Sequence, residues 1–389
     1  MYARMTLVGI PGLLAVALLA AGCGDAVSPA RHGLRAPQVA AAAPGGTGIV
    51  LDQEHGVFGQ SGLHIADGFN PTNPHLGDAI IATFFWLGST NTITTVTDHL
   101  CDGKPSPSGW PGTPVGNTYT LLEYVTLGGI SMATYVATNV QNYPDPNPDQ
   151  NTVLCVHAIF ASPVTDAGVM LSAYSGVSAV SAQALGGYQS ASGSGSSLTT
   201  ADPGAIPVGA GALAYGVTMS NDLVGVAPPP AFTNLATLSD AAIVADGEYA
   251  VQGAGSVDPQ WTWYFTQQNP GTWLATVVAL NPPLHLVFTV QPSTTLPLAT
   301  IRPAVTVTAV DALGNSVASF TGAVTVAIGH NGGLLMPGTL SGTKTATAVN
   351  GVATFSDLSI DQLGNGYTLT TTASGLTGAE SVPFNIGAF

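Results

Sequence analysis

Trp273-Leu274-Ala275-Thr276-Val277-Val278-Ala279-Leu280 decides the fold class. The run is apolar at nearly every position and rich in β-branched residues, and Asn269-Pro270-Gly271 bounds it as a turn. A short continuous apolar stretch with such flanks reads as a strand buried on both faces, or clamped by sheet-on-sheet packing. Val153 to Phe160 repeats the pattern. Working outward, strands are expected over 78–86, 132–137, 152–160, 167–174, 211–218, 241–252 and 273–280. Turns are expected at Asn70-Pro71, Pro144 to Gln150, Ser192 to Ser197 and Pro228-Pro229-Pro230. The expected class is all-β.

Composition agrees. The chain has 389 residues, 46% hydrophobic and only 7% charged, with 48 Gly and 28 Pro, so the long charged side chains that solvate helix faces are scarce. That length implies two globular units after an N-terminal segment. Six Lys and Arg stand against 21 Asp and Glu, a net charge of -15 that repels phosphate backbones and excludes nucleic acid as a partner.

The N-terminus reads as an export signal. Arg4 opens it, an apolar stretch from Met5 to Leu19 follows, and Leu19-Ala20-Ala21-Gly22-Cys23 resembles a lipobox, which implies a lipid anchor on Cys23. Residues 1–22 are then the signal peptide and 23–46 a flexible tether rich in Pro, Gly and Ala. This places the protein at the outer membrane or cell surface, held by acyl chains. In that oxidising setting Cys101 and Cys155 are expected to form a disulfide.

Residues 47–282 form the larger unit. Gly77-Asp78, Val96-Thr97-Asp98 followed by Gly116-Asn117-Thr118-Tyr119-Thr120, Ala173-Tyr174-Ser175-Gly176-Val177 and the run at 273–280 resemble bacterial secreted β-sandwich domains of jelly-roll type. The resemblance implies a fold and no activity. The stretch from Asp98 to Pro114 is an insertion relative to that pattern, and a Cys101–Cys155 bridge would pin it to the sheet.

Residues 283–389 show half-buried alternation at Val305, Val307 and Ala309, again at Val324, Val326 and Ile328, and a type I′ hairpin signal at Asn350-Gly351. With Leu286 to Ser293, Pro303 to Asn315 and Gly366-Tyr367-Thr368-Leu369, this segment resembles the bacterial immunoglobulin-like repeats of surface adhesins. That resemblance implies a seven-strand sandwich in which the Tyr367 hydroxyl ties a loop to the backbone.

No catalytic residue is named. The chain lacks G-x-S-x-G, H-E-x-x-H, a phosphate loop and Cys-x-x-Cys. Four weaker features stay open. Asp52, Glu54, His55, His64, Asp67 and His75 mix imidazole and carboxylate as a transition-metal site does, against a solvated loop. Asp145, Asn147 and Asp149 space oxygen ligands like a calcium loop, but Gln150 and Val156 stand where an EF-hand needs Gly and Glu, so a Pro-rich turn competes. Trp261, Trp263 and Phe265 fall on one strand face, either as a sugar-stacking strip or as core. Trp110, between Gly109 and Pro111, is a candidate exposed contact.

Three functions follow. The first is a non-catalytic, lipid-anchored surface protein binding polysaccharide or another surface protein in adhesion. The second is a secreted carbohydrate-active enzyme with a hidden carboxylate pair, and the third a structural envelope protein without a soluble ligand. Two carboxylates about 5 to 10 Å apart in a groove would favour the enzyme.

Overall fold

In the computed structural model, which describes residues 48–104, 111–145 and 152–387, the two strands expected over 152–160 and 167–174 are one continuous strand. It belongs to an antiparallel sheet of seven: β1 (Val50–Gly68), β2 (Ala79–Leu87), β3 (Ile93–Leu100), β4 (Thr113–Pro114), β5 (Thr120–Leu127), β6 (Ile130–Ala137) and β7 (Leu154–Ser175). β1 runs along the whole of β7, from Val50 opposite Ser175 to Gly68 opposite Cys155. On the other edge of β7, β2 takes the C-terminal half and β3 the N-terminal half.

The sheet curls where the register slips. Between Val57 and His64 the pairing of β1 with β7 shifts repeatedly, opposite the stretch of β7 that contains Pro163. Bulges of this kind raise local twist and bend the strands. The result is a half-barrel whose two arms enclose Ile65, Phe84, Trp86, Val156, Phe160 and Leu171. Because β2 and β6 carry this core on one face and a second core on the other, every residue of β6 is buried.

The second core lies against another sheet. After the short helix α1 (Ser181–Ala184) come β8 (Leu185–Gly195), β9 (Leu198–Ala201), β10 (Ile206–Val208), β11 (Leu213–Ser220) and β12 (Val226–Ala227). They are followed by β13 (Thr233–Ser239), β14 (Val244–Val251), β15 (Gly255–Val257), β16 (Trp261–Tyr264) and β17 (Gly271–Leu280). Five of them form a sheet in the order β13-β14-β11-β17-β8. Its inner face packs Leu213, Tyr215, Val217, Leu274 and Val278 against Ile81, Phe85, Met132 and Met170 of the curled sheet. One polar rivet crosses this core: Thr83 Oγ1 lies 2.9 Å from Tyr215 Oη and 3.1 Å from Thr134 Oγ1.

The outer face of the five-stranded sheet is covered in turn. The small sheet β12-β16-β9 seats Trp261, Trp263 and Phe265 on Trp273, Ala275 and Val244, and β10-β15 seats Ile206, Val208 and Val257 on Ala214, Val277 and Ala279. β17, the strand that decided the fold class, is therefore buried on both faces. The expected two-sheet sandwich is a deeper stack, because apolar residues on both faces of a strand demand a cover on each side.

Beyond Pro283, two three-stranded sheets face each other: His285–Val290, Val305–Val310 and Val352–Phe355 in one, Thr345–Thr347, Ala323–Ile328 and Leu369–Ala373 in the other. Leu286, Val305, Val307, Val324, Val326, Phe355 and Leu369 fill the space between, a core made only of residues from this segment. The hairpin expected at Asn350-Gly351 forms, with both residues at positive φ, 49° and 80°. Tyr367 is fully buried and its hydroxyl donates to the Gln362 carbonyl at 3.1 Å.

Cys101 and Cys155 are joined, with their Cα atoms 5.9 Å apart. Cys155 sits in β7 opposite His99 of β3, so the bridge fastens the chain leaving β3 to the middle of the sheet.

Candidate functional site

A groove opens where β5 begins and β6 ends, beside α1. It measures about 370 Å³ and is lined by Asn117, Thr118, Thr120, Thr138, Asn139, Gln141, Asn142 and Ser181, with Val136, Ala179 and Leu185 as its apolar fraction. Local geometry makes these residues available. Asn139 and Asn142 both hold positive φ, 53° and 72°, conformations that Asn tolerates and that cluster where structure is held for function.

The groove floor is fixed from behind by Asp98. This carboxylate, 1% exposed, accepts from the Gly116 and Asn117 backbone N–H groups at 2.9 and 3.1 Å and from Asn117 Nδ2 at 2.7 Å. Burial raises its pKa, and the Asn117 and Gly116 hydrogen bonds oppose that rise. Asn117 then clasps the neighbouring turn, Nδ2 donating to the Gln141 carbonyl at 3.1 Å and Oδ1 accepting from Gln141 N at 2.8 Å. At the rim Thr138 Oγ1 and Ser181 Oγ are 2.7 Å apart, and Gln141 Nε2 donates to Asn139 Oδ1 at 3.2 Å. The lining offers amide and hydroxyl donors and acceptors with no carboxylate and no aromatic ring among them.

The candidates read from sequence are scattered differently. Trp261 and Trp263 are completely buried and Trp263 Nε1 donates to Thr218 Oγ1 at 3.1 Å, so the aromatic strip is core and no sugar can stack on it. Trp110 lies outside the described residues, as do Cys23 with the signal and tether, and Asn147 and Asp149 of the calcium-loop candidate. Asp145 is described, and its carboxylate accepts from Leu76 N at 3.0 Å. Val156, the position an EF-hand would give to a bidentate Glu, is buried in β7.

The imidazole and carboxylate set expected in a loop lies mostly on β1, where pairing with β7 holds it extended. It divides into groups. His55 Nδ1 meets Asp67 Oδ2 at 2.7 Å, and His64 stacks near His157, which in turn lies against His99. His75 Nδ1 meets Asp52 Oδ1 at 2.9 Å, and the His75 N–H donates to Asp52 Oδ2 at 3.0 Å and to Asp78 Oδ2 at 3.2 Å. Asp78, read in the sequence only as the opening of a buried strand, joins Asp52 and His75 in a group whose donor atoms lie within 4.8 Å of one another.

A second buried carboxyl pair, absent from the sequence reading, sits on β14. Asp246 and Glu248 are 2% and 0% exposed and lie on one face of the strand, each with one carboxyl oxygen that accepts no hydrogen bond. Asn234 Nδ2 donates to Glu248 Oε1 at 2.9 Å, and Thr237 Oγ1 to Asp246 Oδ1 at 2.5 Å. Alternation on a strand places residues i and i+2 on one face, which is the only sequence signal that could have found the pair. Compared with known protein families and with curated proteins, the chain matches no family model and no curated sequence.

Proposed function

We propose that this chain is an exported, lipid-anchored cell-surface protein that binds a neutral, hydroxyl-rich polymer, a polysaccharide, without cleaving it. The observation that carries this reading is the lining of the groove. Amides and hydroxyls donate and accept at once and so match sugar hydroxyls, while glycoside hydrolysis needs two carboxyl groups at the scissile bond. The carboxylate of Asp98, which holds the groove residue Asn117, is itself buried and spent on positioning it.

The lipobox resemblance at Leu19 to Cys23 supports the address, and the jelly-roll and immunoglobulin-like resemblances support a scaffold that presents a binding surface. The facing three-stranded sheets beyond Pro283 and the Tyr367 corner bond are features such a presenting module has. A glycan array probed with unlipidated protein, followed by a reducing-end release assay on each bound glycan, tests the reading. Binding of neutral glycans without release is expected. Release would move the assignment to the carbohydrate-active enzyme, and an array without any bound glycan would move it to a structural envelope protein.

A further inference from the structure

We infer that Asp52, His75 and Asp78 form a binding site for a divalent transition-metal ion of the zinc class. Two of the three ligands are rigidly held. Asp52 is 7% and Asp78 3% exposed, the first on β1 and the second at the entry to β2, so they reach the same point from two strands that flank β7. The third, His75, is on the surface with its side chain 64% exposed, which gives an ion an open approach and leaves the ring free to adjust.

The donor atoms already converge within 4.8 Å. A tetrahedral zinc shell with bonds of about 2.0–2.2 Å needs ligand atoms about 3.3 Å apart, so the 2.9 Å between His75 Nδ1 and Asp52 Oδ1 opens slightly and any wider spacing in the group closes. The contact between His75 Nδ1 and Asp52 Oδ1 is at 2.9 Å with the proton on nitrogen, since a carboxylate can only accept. Loading would replace that N–H hydrogen bond by bonds from His75 Nδ1 and Asp52 to the ion, with the ring ending as a neutral imidazole protonated on Nε2: an imidazolium gives its Nδ1 proton to solvent, and a neutral ring moves it to Nε2 through solvent. Asp78 supplies the third protein ligand and water the fourth.

Charge points the same way. The two carboxylates are buried side by side with Asp145 close by, and among the described residues neither Asp52 nor Asp78 has a Lys or Arg ion pair. Within the group the one basic partner is His75, which meets Asp52 at 2.9 Å, so two carboxylates face a single imidazole. An imidazole in a set of only three protein ligands selects zinc-class ions over calcium, which takes six to eight oxygens. The site also lies behind the groove: Gly77 N donates to the Val140 carbonyl, Val140 N to the Asp78 carbonyl, and the Tyr143 hydroxyl to the His75 carbonyl. An ion here stiffens the turn that carries Asn139 and Asn142.

Chelator-stripped full-length protein titrated calorimetrically with zinc chloride, and in parallel with calcium chloride, tests the inference without any glycan. Expected are one zinc per chain lost in His75→Ala, affinity at least about tenfold weaker in Asp78→Asn, and no change in His330→Ala. Cobalt should give visible d–d bands in the wild type that vanish in His75→Ala. His75 is exposed, so that variant keeps its fold, which circular dichroism checks. Zinc binding unchanged in His75→Ala, an absence of zinc binding, or calcium bound in preference to zinc would each overturn the site.

Discussion

Trp263 shows how a side chain that sequence offers to a ligand is claimed by the core. Its ring stacks on Phe265 with centroids 5.8 Å apart and its indole N–H is satisfied by Thr218, so both halves of the side chain are used internally. Trp263→Ala should cost about 3–5 kcal/mol in urea unfolding and leave glycan binding intact once folded. Glu248 makes the opposite kind of prediction. Burial, with Asp246 adding to it, raises its pKa to about 8 from an ordinary 4.5, against the hydrogen bond from Asn234. A raised carboxyl contributes stability that is present below its unfolded pKa and is lost as pH rises through the folded value. Stability should therefore fall between about pH 4.5 and 8, by at most about 1.4 kcal/mol per pH unit from this group. Glu248→Gln, which mimics the protonated acid, should gain on the wild type across that window in melts at fixed ionic strength. A difference independent of pH would contradict the raised Glu248 pKa.

Among the elements, β17 and the Asn350-Gly351 hairpin were legible because their signals are local: an unbroken apolar run, and a dipeptide that tolerates positive φ. β1 was not. Its Gly, His, Glu and Asp residues show no alternation, and it is a strand only because β7 supplies partners along its length. Tertiary pairing overrode a weak local preference, as it does most readily in sheets. The groove was hidden for a related reason, since Asn117, Thr138, Asn142 and Ser181 read singly as turn residues and only the topology gathers them. The Cys101–Cys155 bridge was legible from the cysteine count together with the expected export of the chain. It spans 54 residues, so replacing both by Ser should cost about 4 kcal/mol in the loop-entropy account, read as a shifted denaturation midpoint. At Gly168 an added Cβ would strike Phe58 and the Val57 carbonyl of the neighbouring β1. Gly168→Ala should destabilise by about 1–3 kcal/mol.

At the scale of the whole molecule, the shortage of cations shapes the interior. With 21 acidic residues and six Lys and Arg, carboxyls come to lie beside carboxyls, in the interior at Asp246 and Glu248 and nearer the surface at Asp166 with Asp240 and Asp202 with Asp258. Raised carboxyls such as Glu248 and Asp166 favour the fold as pH falls, while burial holds His157 and His99 neutral and so opposes them below the ordinary imidazole range. The same scarcity leaves the groove lining uncharged, which suits the neutral polymer proposed as its ligand. Ala179 lies on the groove wall and is exposed, so Ala179→Trp fills the groove without disturbing a core. Calorimetric titration of the best-bound neutral glycan into wild type and Ala179→Trp is the most direct test. Binding abolished in a variant that melts like the wild type is the predicted result, and equal affinity in the two proteins would contradict the groove as the binding site.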